Sequence, residues 1–144
     1  MRGLAVRDLI SGYWVGAGAL SNMGFYIPTS SAHTPMTELK FQRCSEFDHV
    51  CEGEAYLVKS CESGLMGEDY WMYAHDIEIP SIIYRSLSSN NKSAYVFDLV
   101  PISAEQQSFH LKSVSSQTWI SVTGPRLTVN ASKTTAAKLK FYYI

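Results

Sequence analysis

Apolar and polar positions alternate along this chain in short runs and seldom fall at helical spacing. Leu39-Lys40-Phe41-Gln42, Ser81 to Tyr84, Tyr95 to Leu99, Phe109 to Lys112, Trp119 to Val122, Leu127 to Val129 and Leu139 to Tyr143 all read at period 2. Each run is rich in β-branched or aromatic residues. Each is bounded by Gly, Pro, Asn or Ser, the residues that turn a chain. No stretch of about a dozen residues holds a helical period. Short strands at this spacing predict an all-β sandwich or barrel.

An internal repeat chooses between the two. Trp14-Val15-Gly16-Ala17, Trp71-Met72-Tyr73-Ala74 and Trp119-Ile120-Ser121-Val122 share the order Trp, aliphatic, variable, small apolar. Upstream, Leu4-Ala5-Val6-Arg7, Tyr56-Leu57-Val58-Lys59 and Phe109-His110-Leu111-Lys112 read apolar, variable, apolar, basic. From the third position of that element to the Trp is 8, 13 and 8 residues, and the middle copy carries an insertion, Glu62 to Glu68, predicted as a loop. Downstream, Phe25-Tyr26-Ile27, Ile82-Ile83-Tyr84 and Leu127-Thr128-Val129 form a third strand. A loop of Ser, Thr and Asn follows each, and then Leu39-Lys40-Phe41, Tyr95-Val96-Phe97 and Leu139-Lys140-Phe141. Trp to this Phe is 27, 26 and 22 residues.

Three units that cannot each bury an apolar face must share one core. Twelve strands in three pseudo-symmetric four-stranded repeats predict a single all-β domain, a β-trefoil, with lobes near 1–48, 49–104 and 105–144. In that fold a six-stranded barrel is closed at one end by three hairpins. The Trp119-Ile120-Ser121-Val122 and Trp71-Met72-Tyr73-Ala74 elements resemble the second strand of fascin-like and actin-cross-linking trefoils. Leu127 to Ser132 followed by Leu139-Lys140-Phe141 is similar to the end of a fascin repeat. The Gln-x-Trp signature of ricin-type lectins is absent from its usual place, since Gln117-Thr118-Trp119 lies in a second strand rather than a fourth. The basic surface of the fibroblast growth factors is also missing, while the interleukin-1 group remains within the resemblance.

Strand alternation then divides the surfaces. Val15 and Ala17, Met72 and Ala74, and Ile120 and Val122 point to the more uniformly apolar face, the expected core. Phe41, Phe97, Phe141, Val6, Val58 and Leu111 are expected to join it. Trp14, Trp71 and Trp119 are left on the outer face. Two readings of them stand: rings tucked under loops as structural staples, or three related platforms for a ligand. The resemblance to sugar-binding trefoils implies the second, because a flat ring matches the C–H face of a pyranose. The second repeat is richest in polar partners, with Tyr70, Tyr73, His75 and Asp76 around its hairpin. On that reading Trp71 is expected to be partly exposed. The bland alternative for His75-Asp76 is a polar turn.

Composition narrows the function classes. The chain has 144 residues, 46% hydrophobic and 17% charged, enough for one packed domain. A net charge of −1 argues against non-specific nucleic-acid binding. No apolar run reaches the length of a membrane span. Leu9 to Leu20 is interrupted by Ser11, Gly12, Gly16 and Gly18, and reads as part of the first repeat rather than as a cleaved signal. Three cysteines, Cys44, Cys51 and Cys61, permit one pair, Cys44 with Cys51, but read more simply as reduced thiols. The expected location is cytoplasmic, or released without a cleaved signal.

Cys44, His49, Cys51 and Cys61 match no common zinc spacing, so no metal or other cofactor is expected. No nucleophile elbow, zinc-protease motif or phosphate loop appears. Asn91-Lys92-Ser93 and Asn130-Ala131-Ser132 are glycosylation sequons. Lys133, Lys138 and Lys140 form a small basic group, read as a solvated surface or as a patch for an acidic protein such as actin. The expected function is therefore a binding module without catalysis, carbohydrate-binding and lectin-like first. The alternatives are a fascin-like actin- or protein-binding module, or a cytokine-like or protease-inhibitor trefoil, whose protruding loop would be Glu62 to Glu68 or Ser30 to Thr37. The partner is a glycan or a protein, with no nucleic acid and no membrane insertion.

Overall fold

Strand alternation and turn residues resolve, among the described residues, into fourteen strand segments. The computed structural model describes residues 3–15, 20–21, 24–26, 29–30, 38–47, 54–63, 69–124 and 126–143. The first lobe holds β1 (Leu4–Asp8), β2 (Trp14–Val15), β3 (Leu20–Ser21), β4 (Gly24–Tyr26), β5 (Thr29–Ser30) and β6 (Leu39–Arg43). The second holds β7 (Ala55–Ser63), β8 (Asp69–His75), β9 (Ser81–Arg85) and β10 (Phe97–Ser103). The third holds β11 (Ser108–Ser113), β12 (Trp119–Thr123), β13 (Arg126–Ala131) and β14 (Leu139–Tyr143).

All pairings are antiparallel, and they close on themselves. β1 pairs β6, β6 pairs β7, β7 pairs β10, β10 pairs β11, β11 pairs β14, and β14 returns to β1. That ring is the six-stranded barrel, and closure leaves it no free edge. The remaining strands form hairpins: β2 with β5 and β3 with β4, β8 with β9, and β12 with β13. β9 pairs both β4 and β13, which ties the hairpins together across the cap. The architecture is a β-trefoil.

The expected inward positions build its core. Val6, Val15, Phe41, Val58, Met72, Ala74, Phe97, Leu111 and Ile120 lie in one buried cluster, with Phe141 and Val122 packed against it. Phe141 stacks on Phe109 at 4.1 Å between ring centres and meets Phe41 edge-on at 5.1 Å. Ala17 and Ile27, assigned to the core face and the third strand, lie outside the described residues. A second cluster contains Leu57, Trp71, Tyr73, Ile83 and Tyr95, with Phe47 and Val114 packed against it.

The lobes also agree in their turns. In the first, the Asp8 N–H donates to Tyr13 O and the Gly12 N–H to Asp8 O. In the third, the Ser113 N–H donates to Thr118 O and the Gln117 N–H to Ser113 O. Gly12 and Gln117 occupy the same left-handed position, φ 79 and 58. The equal spacing of 8 residues in these two copies is this shared turn.

Several expectations need correction. Tyr95 does not open the fourth strand of lobe two. Asn91 enters a left-handed conformation, φ 53, and a 3-10 turn over Lys92–Tyr95 follows, so the strand begins at Phe97. β7 runs on through Ser63, so the inserted segment begins as strand, and 64–68 lie outside the described residues. Cys44 is disulfide-bonded, not a reduced thiol, and it is buried directly after β6. An odd cysteine count accommodates one bond and one remaining thiol. Among the described residues, no helix is long and apolar enough to cross a membrane.

Candidate functional site

The outer-face tryptophans are placed by strand pairing. Trp14 lies opposite Arg7, Trp71 opposite Lys59, and Trp119 opposite Lys112. The basic residue that closes the first element of each repeat thus covers the Trp that opens the second. Cation to ring-centre distances are 5.2, 5.8 and 5.5 Å. Among the described residues each ring also meets one other ring: Tyr142 at 5.0 Å for Trp14, Phe47 at 5.3 Å for Trp71, and His110 at 5.8 Å for Trp119.

This clamp buries two of the three. Trp14 and Trp71 are each only 6% exposed, so the expected exposure of Trp71 is not found. Trp14 Nε1 is buried without a hydrogen-bond partner among the described residues. Trp119 alone is half-buried, and Lys133 lies over its ring at 5.8 Å beside Lys112. Tyr70 pairs with Ser60 and packs against the barrel core, away from Trp71.

Three other candidates converge. Tyr73, His75 and Asp76, at the end of β8, form one wall of a cleft of about 360 Å³ between the second and third lobes. Asn91 and Ser93 extend that wall, while Ser115, Ser116, Thr118 and Asn130 form the facing one. Tyr73 is held rather than displayed. Its ring lies 4.9 Å from Tyr95 and 6.2 Å from His75, and Arg85 stacks over it at 4.5 Å. Asn91 Nδ2 donates to the Tyr73 hydroxyl at 3.4 Å, and Tyr95 donates to Ser86 O at 2.7 Å.

Burial lowers the pKa of His75 from its ordinary 6.5, the Arg85 charge adds to this, and Asp76 opposes it. The imidazole is therefore neutral at pH 7 and can both donate and accept. Burial raises the Tyr95 phenol, so it stays a donor. Across the cleft, the Ser116 and Thr118 hydroxyls meet at 2.6 Å, and Thr118 donates to Val129 O. The Ser115 hydroxyl is engaged with Ser113 at 3.2 Å. The cleft offers amide, hydroxyl, imidazole and carboxylate groups over a floor that includes Ala74, Ala94 and Val129.

Asn91 and Asn130 stand in the sequence only as sequons, and Ser115 and Ser116 belong to no motif. The available signal was the loop of Ser, Thr and Asn that follows the third strand of each repeat. Which of them face one another depends on β9 pairing β13, a contact between lobes that no local pattern encodes. Among the described residues, no group of three or more metal-ligating side chains gathers; His49 and Cys51 lie outside them.

No family model and no curated protein matches this chain. Solved structures do. The chain is similar to the water-soluble chlorophyll protein from Brassica oleracea var. Botrytis with chlorophyll b, at TM-score 0.74 and 10% identity, covering 99% of this chain and 91% of that one. It is similar to the designed threefold-symmetric protein ThreeFoil at TM-score 0.70 and 12% identity, covering 99% of each. It is also similar to a trypsin inhibitor from soybean at TM-score 0.67 and 12% identity, covering 99% of this chain and 91% of that one. At such identities the likeness is one of fold.

Proposed function

We propose that this chain is a non-catalytic, lectin-like binding module that holds a carbohydrate in the cleft between its second and third lobes. The carrying observation is the cleft itself. Its volume, about 360 Å³, suits a small ligand, and Tyr73, His75, Asp76, Asn91, Ser116 and Asn130 bring directional donors and acceptors to it. A polyol needs such a mixed set. Trp14 and Trp71 do not serve as stacking platforms in this arrangement, since both are clamped and buried.

Binding without catalysis is supported by the hydroxyls. Ser115 and Ser116 are engaged with Ser113 and Thr118 rather than activated by His75. Two of the similar structures are by their titles a chlorophyll protein and a trypsin inhibitor, and a shared fold does not choose among ligands. The Cys44 disulfide supports a released chain over a cytoplasmic one.

A glycan array with parallel F-actin co-sedimentation tests the reading. The expected result is binding to a set of glycans and none to actin. Asn91→Ala and Asn130→Ala should each weaken glycan binding by roughly 2- to 10-fold, the worth of a hydrogen bond or two. Actin binding with an empty array would replace this reading with the fascin-like one.

A further inference from the structure

A second cavity, of about 380 Å³, shares no lining residue with the cleft. Its walls come from barrel strands and from Glu54, the residue before β7. Leu4 opens β1 and Tyr143 closes β14, and the two are cross-strand partners. β1 leaves for the first hairpin at its Asp8 end, so Leu4 marks the opposite end. The cavity is therefore the mouth of the barrel, at the end the hairpins leave uncapped.

Aromatic rings dominate this mouth. Phe41 lies at its base, edge-on to Phe141 at 5.1 Å and to Tyr56 at 6.1 Å between ring centres. Phe141 is half-buried, and Tyr143 is 57% exposed, so both rings can be reached from solvent. Glu54 is the single charged residue of the lining. It is held at two points. Its backbone carbonyl accepts the Leu99 N–H at 3.0 Å, and its Oε1 accepts the Tyr56 hydroxyl at 3.0 Å. Burial raises the Tyr56 phenol, and the bond to Glu54 adds to this, so the phenol stays a donor. A carboxylate accepts about four hydrogen bonds, and one phenol leaves room for a ligand's donors.

The bases nearby stand outside the lining. Arg43 is the cross-strand partner of Tyr56 and lies over its ring at 5.9 Å. Lys140 lies over Tyr142 at 5.1 Å, and Tyr142 alternates with Phe141 and Tyr143, which puts this pair on the outer face. Glu54 also belongs to the acidic part of a chain whose net charge of −1 conceals a division. Residues 49–104 carry eight acids against three bases, while 105–144 carry five bases against one acid.

We infer that the barrel mouth is a second binding site, for an organic ammonium ion with an apolar body, its ammonium group at Glu54 and its body against Tyr56, Phe141 and Tyr143. An ammonium group is drawn both to a carboxylate and to the faces of aromatic rings. A carboxylate ligand would meet Glu54 instead, and a polyol would find one polar side in an apolar bowl. The site is independent of the cleft and of the ligand proposed there.

Isothermal titration with three probes of one shape and different charge tests it: phenethylamine, phenethyl alcohol and phenylpropionate. The amine should bind about tenfold tighter than the alcohol, and the carboxylate weakest of the three. Glu54→Gln should bring the amine down to the level of the alcohol and leave the alcohol unchanged. Tyr143→Ala should weaken amine and alcohol alike, several-fold, because it removes a wall and not the charge. Glu78→Gln, in the turn between β8 and β9, should change nothing. Near-ultraviolet circular dichroism verifies folding of the variants, and the comparison of probes on the unaltered chain stands without them. Equal binding of amine and alcohol, or no binding of any probe, overturns the inference. So does an amine preference that survives Glu54→Gln. Tightest binding of phenylpropionate, lost in Arg43→Gln, would make the mouth an anion site and overturn it too. The glycan array reads the cleft alone, so failure of either proposal leaves the other standing.

Discussion

Trp71 carries the clearest residue-scale lesson. Alternation placed it on the outer face, where it is, but a polar neighbourhood in sequence suggested an exposed ring. In the fold, Lys59 and Phe47 cover it and it is 6% exposed. Trp71→Ala should therefore cost about 3–5 kcal/mol, as for a buried aromatic truncation, while Trp119→Ala costs clearly less. Urea unfolding midpoints read both. Equal losses would mean the half-buried Trp119 is as structural as the others. Gly12 gives a second test. Its φ of 79 lies where an L side chain is strained, and an added Cβ would meet only Arg7 Nη2 at 3.6 Å. Gly12→Ala should thus cost about 1–2 kcal/mol from the backbone alone.

His75 adds a pH test. Its folded pKa is depressed, chiefly by burial and secondly by Arg85. The native state then resists protonation, so its contribution to stability is complete above pH 6.5 and declines as pH falls from 6.5 toward the folded pKa. The ring is partly solvated and the effect on melting small, so NMR titration is the measurement. His75 should titrate below 6.5, and Arg85→Gln should raise it part of the way back. An unchanged pKa in that variant would assign the whole shift to burial.

At the scale of elements, the repeat was legible because each strand carries its own pattern. Arg7, Lys59 and Lys112 end one element, Trp14, Trp71 and Trp119 begin another, and antiparallel pairing sets them face to face. The shared letters therefore encode a shared contact, repeated by the threefold axis. A double-mutant cycle on Lys59 and Trp71, and another on Lys112 and Trp119, should each return about 0.5–1 kcal/mol of coupling. Zero coupling in both would reduce the repeat to a coincidence of strand composition. What the pattern could not supply is where turns intrude. Tyr95-Val96-Phe97 alternates well enough to read as strand, yet Asn91 at φ 53 starts a 3-10 turn that absorbs Tyr95. Two consequences follow for the site: Tyr95 packs edge-on against Tyr73, and Asn91 reaches the Tyr73 hydroxyl. The second lobe's wall of the cleft is thus completed by a turn that period-2 reading misses.

Over the whole molecule, the fold is more legible than the cleft, since closure follows from repeat symmetry and a cleft follows from which loops meet. Summing charge along the chain hid the same kind of fact, because near-neutrality overall is compatible with one acidic and one basic lobe. Closure itself is testable. β1 and β14 pair along their full length, from Leu4 with Tyr143 to Asp8 with Leu139, so these end strands are neighbours about 5 Å apart. β14 is also the partner of β11, and removing it would break two seams of a six-stranded ring. Deleting 139–144 should abolish the cooperative thermal transition. A circular permutant should instead keep it, with residues 1 and 144 joined by a short Gly/Ser linker and new ends in the exposed turn 104–107. That turn lies outside the barrel pairing except where the Phe141 N–H donates to Gln107 O at 3.3 Å. Its opening sacrifices little, whereas the β1–β14 seam survives intact. A permutant that melts like the deletion, without cooperativity, would show that the order of connection and not the closed ring of strands holds the trefoil together.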